Sequence, residues 1–598
     1  MVHFFLFVGF FYNTRHTLGH DYGIILPQLL DGYFWFRNNG LDDVFWFSPA
    51  FCGGVPAFPH PIHFYYCVPQ FLTFIMSPLN AVVFTFFIFA AIGFWGYYFL
   101  LLRISSAGVM LSFFGGVLFL FNGFYVYRMA IGHLNYHAFM LVPWCALLFL
   151  IPTPSGSRKA RFFGIYAIVM AGCFLGYMIY SGLQTVLPPV FLSVLLLCLT
   201  AGLFLGDRFD FRSFALRVAG AVMVMLGLAA AKLSGVFHFL QQVPRTYYPL
   251  PQFPDLTDLL MVLVKSLFFF PAWQQARTSM VNMQLNLNRH EFEFGVTAVP
   301  LLLMGAGLIY LLFGFLRKRT GPSKKGGALF AMVLVLCLLP IALNFYSPGW
   351  SRLLKQIPLL ASSTQCTRWF CMYIPFVILL TIMAVQRVPW LKRFQVIVAV
   401  LGMGCVVGWN GWVDKTYYME QLYSPTWVVL AYEEVRDGKR EPAITDISVC
   451  MDKDGKMGGP VYRNDAIVMG YSQLFCYDSM FGYGLEGFPL KTLEPGSVFK
   501  TTNGRLNLKN PACYVFPGAN NCEPGAHFTI DEADAATAFT RYRSFPFEIS
   551  KLQKGANLLT LSTLIAVCGV VLFYWTWRTV AFGRRRIVSR EGAQAGCS

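Results

Sequence analysis

The chain has 598 residues, of which 56% are hydrophobic and 13% charged, and its formal net charge is +17. Soluble domains carry about 25% charged residues, so the composition excludes a set of ordinary water-exposed domains. A nucleic-acid binder would gather its excess base into one patch or stripe, whereas here the base is spread over short loops between apolar runs.

In chain order, apolar runs that predict membrane crossings lie at 2–12, 80–102, 107–126, 138–152, 163–181, 185–205, 215–231, 296–316, 328–345, 368–386, 394–412 and 556–577. A crossing takes about 20 residues, because the hydrocarbon core is about 30 Å thick and a helix rises about 1.5 Å per residue. The first run is shorter than that, and it lacks the basic start and small-residue cleavage site of a signal peptide. The loops between alternate runs hold twenty basic residues, among them Arg158, Lys159, Arg161, Arg387, Lys392 and Arg393, and three acids, Asp207, Asp210 and Glu591. Removing these from the totals of 46 basic and 29 acidic residues leaves the other side neutral. This is the positive-inside pattern, and it predicts both termini in the cytoplasm.

The expected architecture is an all-α polytopic membrane protein of about twelve transmembrane helices. Residues 1–412 form the membrane module, with outer loops at 13–79, 232–295 and 346–367. A small extracytoplasmic domain, mixed α/β or mostly β, is expected at 413–555, before the last helix and basic tail at 556–598. Helical spacing of apolar residues over 22–36 predicts a helix lying in the interface. Glycines and prolines make 46–63 a defined loop, and a second interfacial helix is expected at 64–77. Within 413–555, β-prone stretches fall at 444–449, 466–469, 512–516 and 527–530. An oxidising outer compartment permits disulfides. Cys513 and Cys522 flank a Pro-Gly-Ala-Asn turn and are expected to pair, and Cys450 with Cys476 is a second pairing.

Three groups of residues bear chemistry. Asp21, in Gly-His-Asp-Tyr just past the first run, is a carboxylate in a partly dry setting, suited to general-base work or merely to capping a helix. Lys232, Arg245 and Arg368 adjoin runs and prolines on the outer side, where an arginine fork matches phosphate oxygens or simply reaches the headgroups. Every histidine but His3 falls on the outer side. The spacings of His60/His63 and His133/His137 suit either metal binding or ordinary hydrogen bonding, and His20, His133, His137 and Glu291 are candidate ligands of a divalent ion. No nucleotide-binding loop or zinc-finger spacing appears.

Four stretches resemble the GT-C superfamily of polytopic glycosyltransferases, most closely the YfhO-like bacterial membrane proteins. They are residues 19–28 with Asp21 and Gln28; Gly53-Gly54-Val55-Pro56 with Phe64-Tyr65-Tyr66; Phe121-Asn122-Gly123-Phe124 with Gly132-His133 and Pro143-Trp144; and Gln365 to Phe370 around Arg368. The resemblance implies inverting transfer of a sugar from a polyprenyl-phosphate donor to an envelope glycan, lipid or protein acceptor at the outer face of a bacterial inner membrane. It implies Asp21 as base, Lys232, Arg245 or Arg368 on the donor phosphate, and Gln28, Trp46, His60 and Tyr65 against sugar or lipid. It leaves a divalent metal, Mg or Mn, as an open requirement. The expected partners are the donor, membrane lipids and the acceptor, with no nucleic acid. A flippase or transporter is the alternative function, and it would require ionisable residues within the spans. A non-catalytic envelope-assembly scaffold is the third reading.

Overall fold

The computed structural model describes residues 1–105, 107–151, 158–243, 248–269, 272–283, 287–317, 324–361, 363–448, 464–474, 478, 480–481 and 493–595. The chain is mostly helical, at 69% helix and 6% strand, as the apolar runs require. Among the described residues nine helices are long and apolar enough to cross a membrane: Pro78–Ile104, Val109–Ile131, Phe162–Tyr180, Leu187–Arg208, Phe211–Gln242, Gly326–Asn344, Thr367–Arg387, Gln395–Trp412 and Lys551–Thr579. Two further expected crossings are the shorter apolar helices Leu134–Leu150 and Ala298–Phe313. The run at 2–12 is a short helix, Val2–Phe7, followed by a single tight turn, Val8–Phe10.

Local chemistry sets where these helices start and break. Asp210 caps Phe211–Gln242 by accepting the N–H groups of Arg212 and Ser213 at 3.1 and 3.2 Å. Asn122 interrupts the apolar run that begins at Val109. Its amide donates to Phe119 O at 2.6 Å, and its Oδ1 accepts the Tyr125 N–H at 2.9 Å, starting a new helix at Gly123–Ile131. The last helix packs on Phe211–Gln242, where Gly227 leaves room for Thr563 and the Thr560 hydroxyl donates to Gly227 O. Most of that helix remains exposed, as a face turned to lipid would be.

The loops depart from expectation in several respects. The helix Tyr22–Asn39 is enclosed by protein, with Leu26 through Phe36 all buried, and within 64–77 only the short helix Val68–Leu72 forms. Tyr22–Asn39 is sandwiched between the membrane helices and the segment after residue 413. The described residues of that segment contain two small sheets. Asp446–Ser448 pairs parallel with Tyr471–Gln473 and antiparallel with Gly496–Ser497, and Arg505–Lys509 lies between Thr501–Thr502 and His527–Thr529. Two of the β-prone stretches are helical instead. Asn510 Oδ1 accepts the Ala512 N–H at 3.1 Å and starts the helix Ala512–Val515, while Gly470, with φ +80°, closes the turn Asp465–Met469.

The segment shares one hydrophobic core with the first outer loop. Cys52 N–H donates to Gln473 O at 3.0 Å, Lys509 N–H to Gly53 O at 2.9 Å, and Asn38 Nδ2 to Arg541 O at 2.9 Å. Asp31, wholly buried, accepts the hydroxyls of Ser48 at 2.8 Å, Tyr65 at 2.7 Å and Tyr542 at 3.0 Å. The Cys513–Cys522 disulfide is present. Cys52 is also disulfide-bonded, and the Cys450–Cys476 pairing lies outside the described residues.

Candidate functional site

Two glycines bring the first loop against the broken helix. Gly132 ends Gly123–Ile131 with φ +116°, and a Cβ there would stand 2.6 Å from Tyr22 N and 2.7 Å from Asp21 C. A Cβ on Gly19 would fall 2.4 Å from the Ile131 backbone. The two chains therefore touch backbone to backbone, and the Asp21 N–H donates to Ile131 O at 3.1 Å. His133, one residue past Gly132, places Nε2 2.8 Å from Asp21 Oδ2, and His20 Nε2 lies 3.6 Å from Oδ1.

A third strand of chain completes the cluster. Gly123 N–H donates to the carbonyls of Phe294 and Gly295, and the N–H groups of Phe294 and Gly295 donate to Ser266 O. These bonds hold the turn Arg289–Phe292 beside the broken helix. Buried Glu291 then receives two guanidiniums: Arg368 Nη2 on Oε1 at 2.5 Å and Nε on Oε2 at 3.1 Å, and Arg128 Nη2 on Oε2 at 2.8 Å. Arg128 is fully buried, and none of its nitrogens makes a hydrogen bond among the described residues. The charge of Glu291 and the ring faces of Phe124 and Tyr136, 4.8 and 5.2 Å away, hold it instead. The segment after 413 closes the cluster, with Gln421 Oε1 2.9 Å from His20 Nδ1 and the Tyr417 hydroxyl 3.5 Å from His290 Nδ1.

The electrostatics divide these groups cleanly. Burial raises the Asp21 carboxyl, but the hydrogen bond from His133 and the neighbouring imidazoles of His20 and His290 outweigh it and hold the group below the usual carboxylate range. Burial lowers His133 despite the nearby carboxylates, and it lowers His290 further. Neutral His133 donating from Nε2 leaves Nδ1 as an acceptor, and that atom is buried without a partner among the described residues. Burial also opposes ionisation of Glu291, and Arg128 and Arg368 override it, so Glu291 is an anion.

The other expected site residues sit elsewhere. Lys232 is not available to a phosphate: it is buried, and Nζ donates to the carbonyls of Phe58, His60 and His63 at 2.6, 2.7 and 3.4 Å. Tyr65 and His60 are buried, the former on Asp31, so neither offers a sugar-binding surface. Trp46 packs its ring against Phe58, Phe516 and Phe547, and Gln28 is buried in Tyr22–Asn39. His137 leaves the ligand set, since Leu134 O and the Tyr177 hydroxyl each lie 2.6 Å from its two ring nitrogens. Arg245 lies outside the described residues.

Ligand atoms of His133, His290 and Glu291 come within 4.8 Å of one another. The donor set does not fit Mg or Mn, which favour oxygen ligands and carboxylates free to bind them. Both Glu291 oxygens already face guanidinium nitrogens, and two buried arginines would oppose a divalent cation.

No family model, no curated protein and no solved structure matches this chain. Its chemistry rests on its own residues.

The sequence pattern alone missed Arg128 and His290. An arginine inside the apolar stretch 123–131 was the available signal, because an ionisable residue at such a place marks a site.

Proposed function

We propose that the chain is an inverting membrane glycosyltransferase acting on a polyprenyl-phosphate-linked sugar at the outer face of a bacterial inner membrane. The observation that carries this reading is the placing of an ionised, partly exposed Asp21 in one cluster with the paired guanidiniums of Arg128 and Arg368, at the ends of apolar helices. In this reading the acceptor hydroxyl oxygen attacks the anomeric carbon as the carbon–oxygen bond to phosphate breaks. The electron pair leaves with the lipid phosphate, and the hydroxyl proton passes to Asp21. A carboxylate of low basicity suits this step, because an oxocarbenium-like transition state makes the attacking hydroxyl strongly acidic late in bond formation. His133 orients the carboxylate. Arg368, less buried than Arg128, is the group for the charge that develops on the departing phosphate.

The same reading takes the two shorter apolar helices and the N-terminal turns as further crossings. That gives twelve, with both termini in the cytoplasm, because base-rich loops then alternate with neutral ones. The envelope acceptor approaches from the Asp21 side.

The test compares wild type with Asp21→Asn at equal expression in cells, following envelope glycan composition and the pool of polyprenyl-phosphate sugars. Wild type is expected to consume the lipid-linked sugar and the variant to let it accumulate. Equal pools in both would remove Asp21 from catalysis and the glycosyltransferase reading with it.

A further inference from the structure

A second polar cluster lies in the outer loop, apart from Asp21 and built from different residues. His60 is wholly buried and His63 nearly so, and their rings stack with centroids 3.7 Å apart. Stacking places both Nε2 atoms beside one carboxylate oxygen: Asp478 Oδ2 lies 3.1 Å from His60 Nε2 and 4.0 Å from His63 Nε2. Yet among the described residues neither ring nitrogen of His60 nor Nδ1 of His63 is satisfied by a well-aligned hydrogen bond. A buried polar atom left without a partner is costly, and a native fold rarely leaves several together.

The geometry has a simple account. Asp478 Oδ2 stands at an ion-pair distance from His60 Nε2, but the alignment is too poor to satisfy the ring nitrogen fully. Around a tetrahedral ion with bonds of 2.0–2.1 Å, ligand atoms stand about 3.3 Å apart. The separations of 3.1 and 4.0 Å bracket that value, and the three ligand atoms all fall within 4.8 Å of one another.

The surroundings hold these ligands in place. The N–H groups of Met480 and Phe481 donate to Asp478 Oδ1 at 2.7 and 3.0 Å, which leaves Oδ2 for the histidines. Lys232 donates to the carbonyls of Phe58, His60 and His63 and so fixes the Pro-His-Pro-Ile-His loop without occupying the carboxylate. We propose that His60, His63 and Asp478 bind one divalent transition-metal ion of the zinc class, which pins the first outer loop to the segment around residue 478. Two imidazoles and one carboxylate suit zinc, with a water in the fourth position. Joint coordination requires the stacked rings to turn apart until both Nε2 lone pairs converge on the ion.

The experiment measures metal in the full chain, purified in detergent after incubation with excess zinc and removal of unbound ion. Wild type is expected to hold about one zinc per chain, and His60→Asn with His63→Asn about a tenth of that or less. Glu291→Gln serves as the control at the other cluster and is expected to keep the ion. To keep the test independent of how the double variant folds, wild type is also loaded with cobalt(II), whose visible absorption should show tetrahedral nitrogen and oxygen ligation. Wild type that retains no zinc and gives no such spectrum overturns the proposal. So does zinc lost from Glu291→Gln but kept in the histidine variant.

Discussion

Arg368 grips Glu291 with two nitrogens, and the two residues are 77 positions apart in the chain. The grip joins the start of Thr367–Arg387 to the turn Arg289–Phe292, and Arg128 joins the same carboxylate from the broken helix. Three separate pieces of chain therefore depend on one buried anion.

Glu291→Gln should leave two guanidiniums facing a neutral amide. Removing one partner of a buried charge pair costs about 3–5 kcal/mol. Thermal unfolding in detergent is expected to show a clear drop in melting temperature. Arg368→Lys keeps the charge but loses the two-point fork, so it should unfold nearer the wild-type temperature while the proposed sugar transfer falls at least tenfold. Two variants with the same melting temperature would contradict the shared-anion picture.

Asp21→Asn should lower transfer by about 10²- to 10⁴-fold, the usual worth of a general base, with little change in melting temperature because the side chain is partly exposed. The pH dependence carries its own sign. Asp21 is held below the usual carboxylate range, so activity should persist on the acid side down to unusually low pH and fail only as the group is protonated. His133→Ala removes the hydrogen bond that lowers Asp21, and the acid limb of the rate profile should then move upward. An unmoved limb would separate His133 from Asp21.

Asp31 makes the opposite case. Burial pushes its carboxyl up from 3.8 to about 7, against the three hydroxyls that donate to it. The folded state thus favours the protonated acid. The stability this contributes is complete below the ordinary value near 3.8 and is lost as pH rises through about 7. Asp31→Asn cannot ionise. Melting temperatures measured from pH 4 to pH 8 should decline in wild type and stay flatter in the variant.

Gly132→Ala tests the backbone contact that delivers Asp21. The new Cβ would strike Tyr22 N and Asp21 C, at a φ of +116° that an alanine adopts only under strain. Folded yield should drop, and in the folded fraction the proposed sugar transfer should be slower than in wild type even after correction for yield. A fully folded, fully active variant would mean that the first loop is free to shift.

Much of the fold is legible because hydropathy and charge act over whole segments. Among the described residues nine of the apolar runs are long helices, and the Cys513–Cys522 pair follows from a short turn that brings two cysteines together. What the pattern hides is burial by distant chain. The helix Tyr22–Asn39 carries Gln28, Asp31 and Arg37 beside its apolar residues and so resembles a surface helix, until Tyr65 and Tyr542 arrive to satisfy Asp31. The site was half visible for the same reason. Asp21, His20, His133, Glu291 and Arg368 stand out by residue type, and the structure gathers them together. Lys232 stands out equally, but it is committed to three carbonyls that no spacing rule could foresee.

The bond from Tyr542 to Asp31 also bears on how the protein is made. These residues are separated by 511 positions. At about 5–20 residues per second of synthesis, the wait between them is roughly 25–100 seconds. Throughout that time the nascent chain carries a carboxylate whose final burial is not yet possible, on a helix whose outer cover does not yet exist. The early membrane helices must therefore insert while the first loop stays open, and closure is a late event of biogenesis. A chain that ends before Tyr542 lacks the hydroxyl that Tyr542 donates to Asp31 and stays unsealed there.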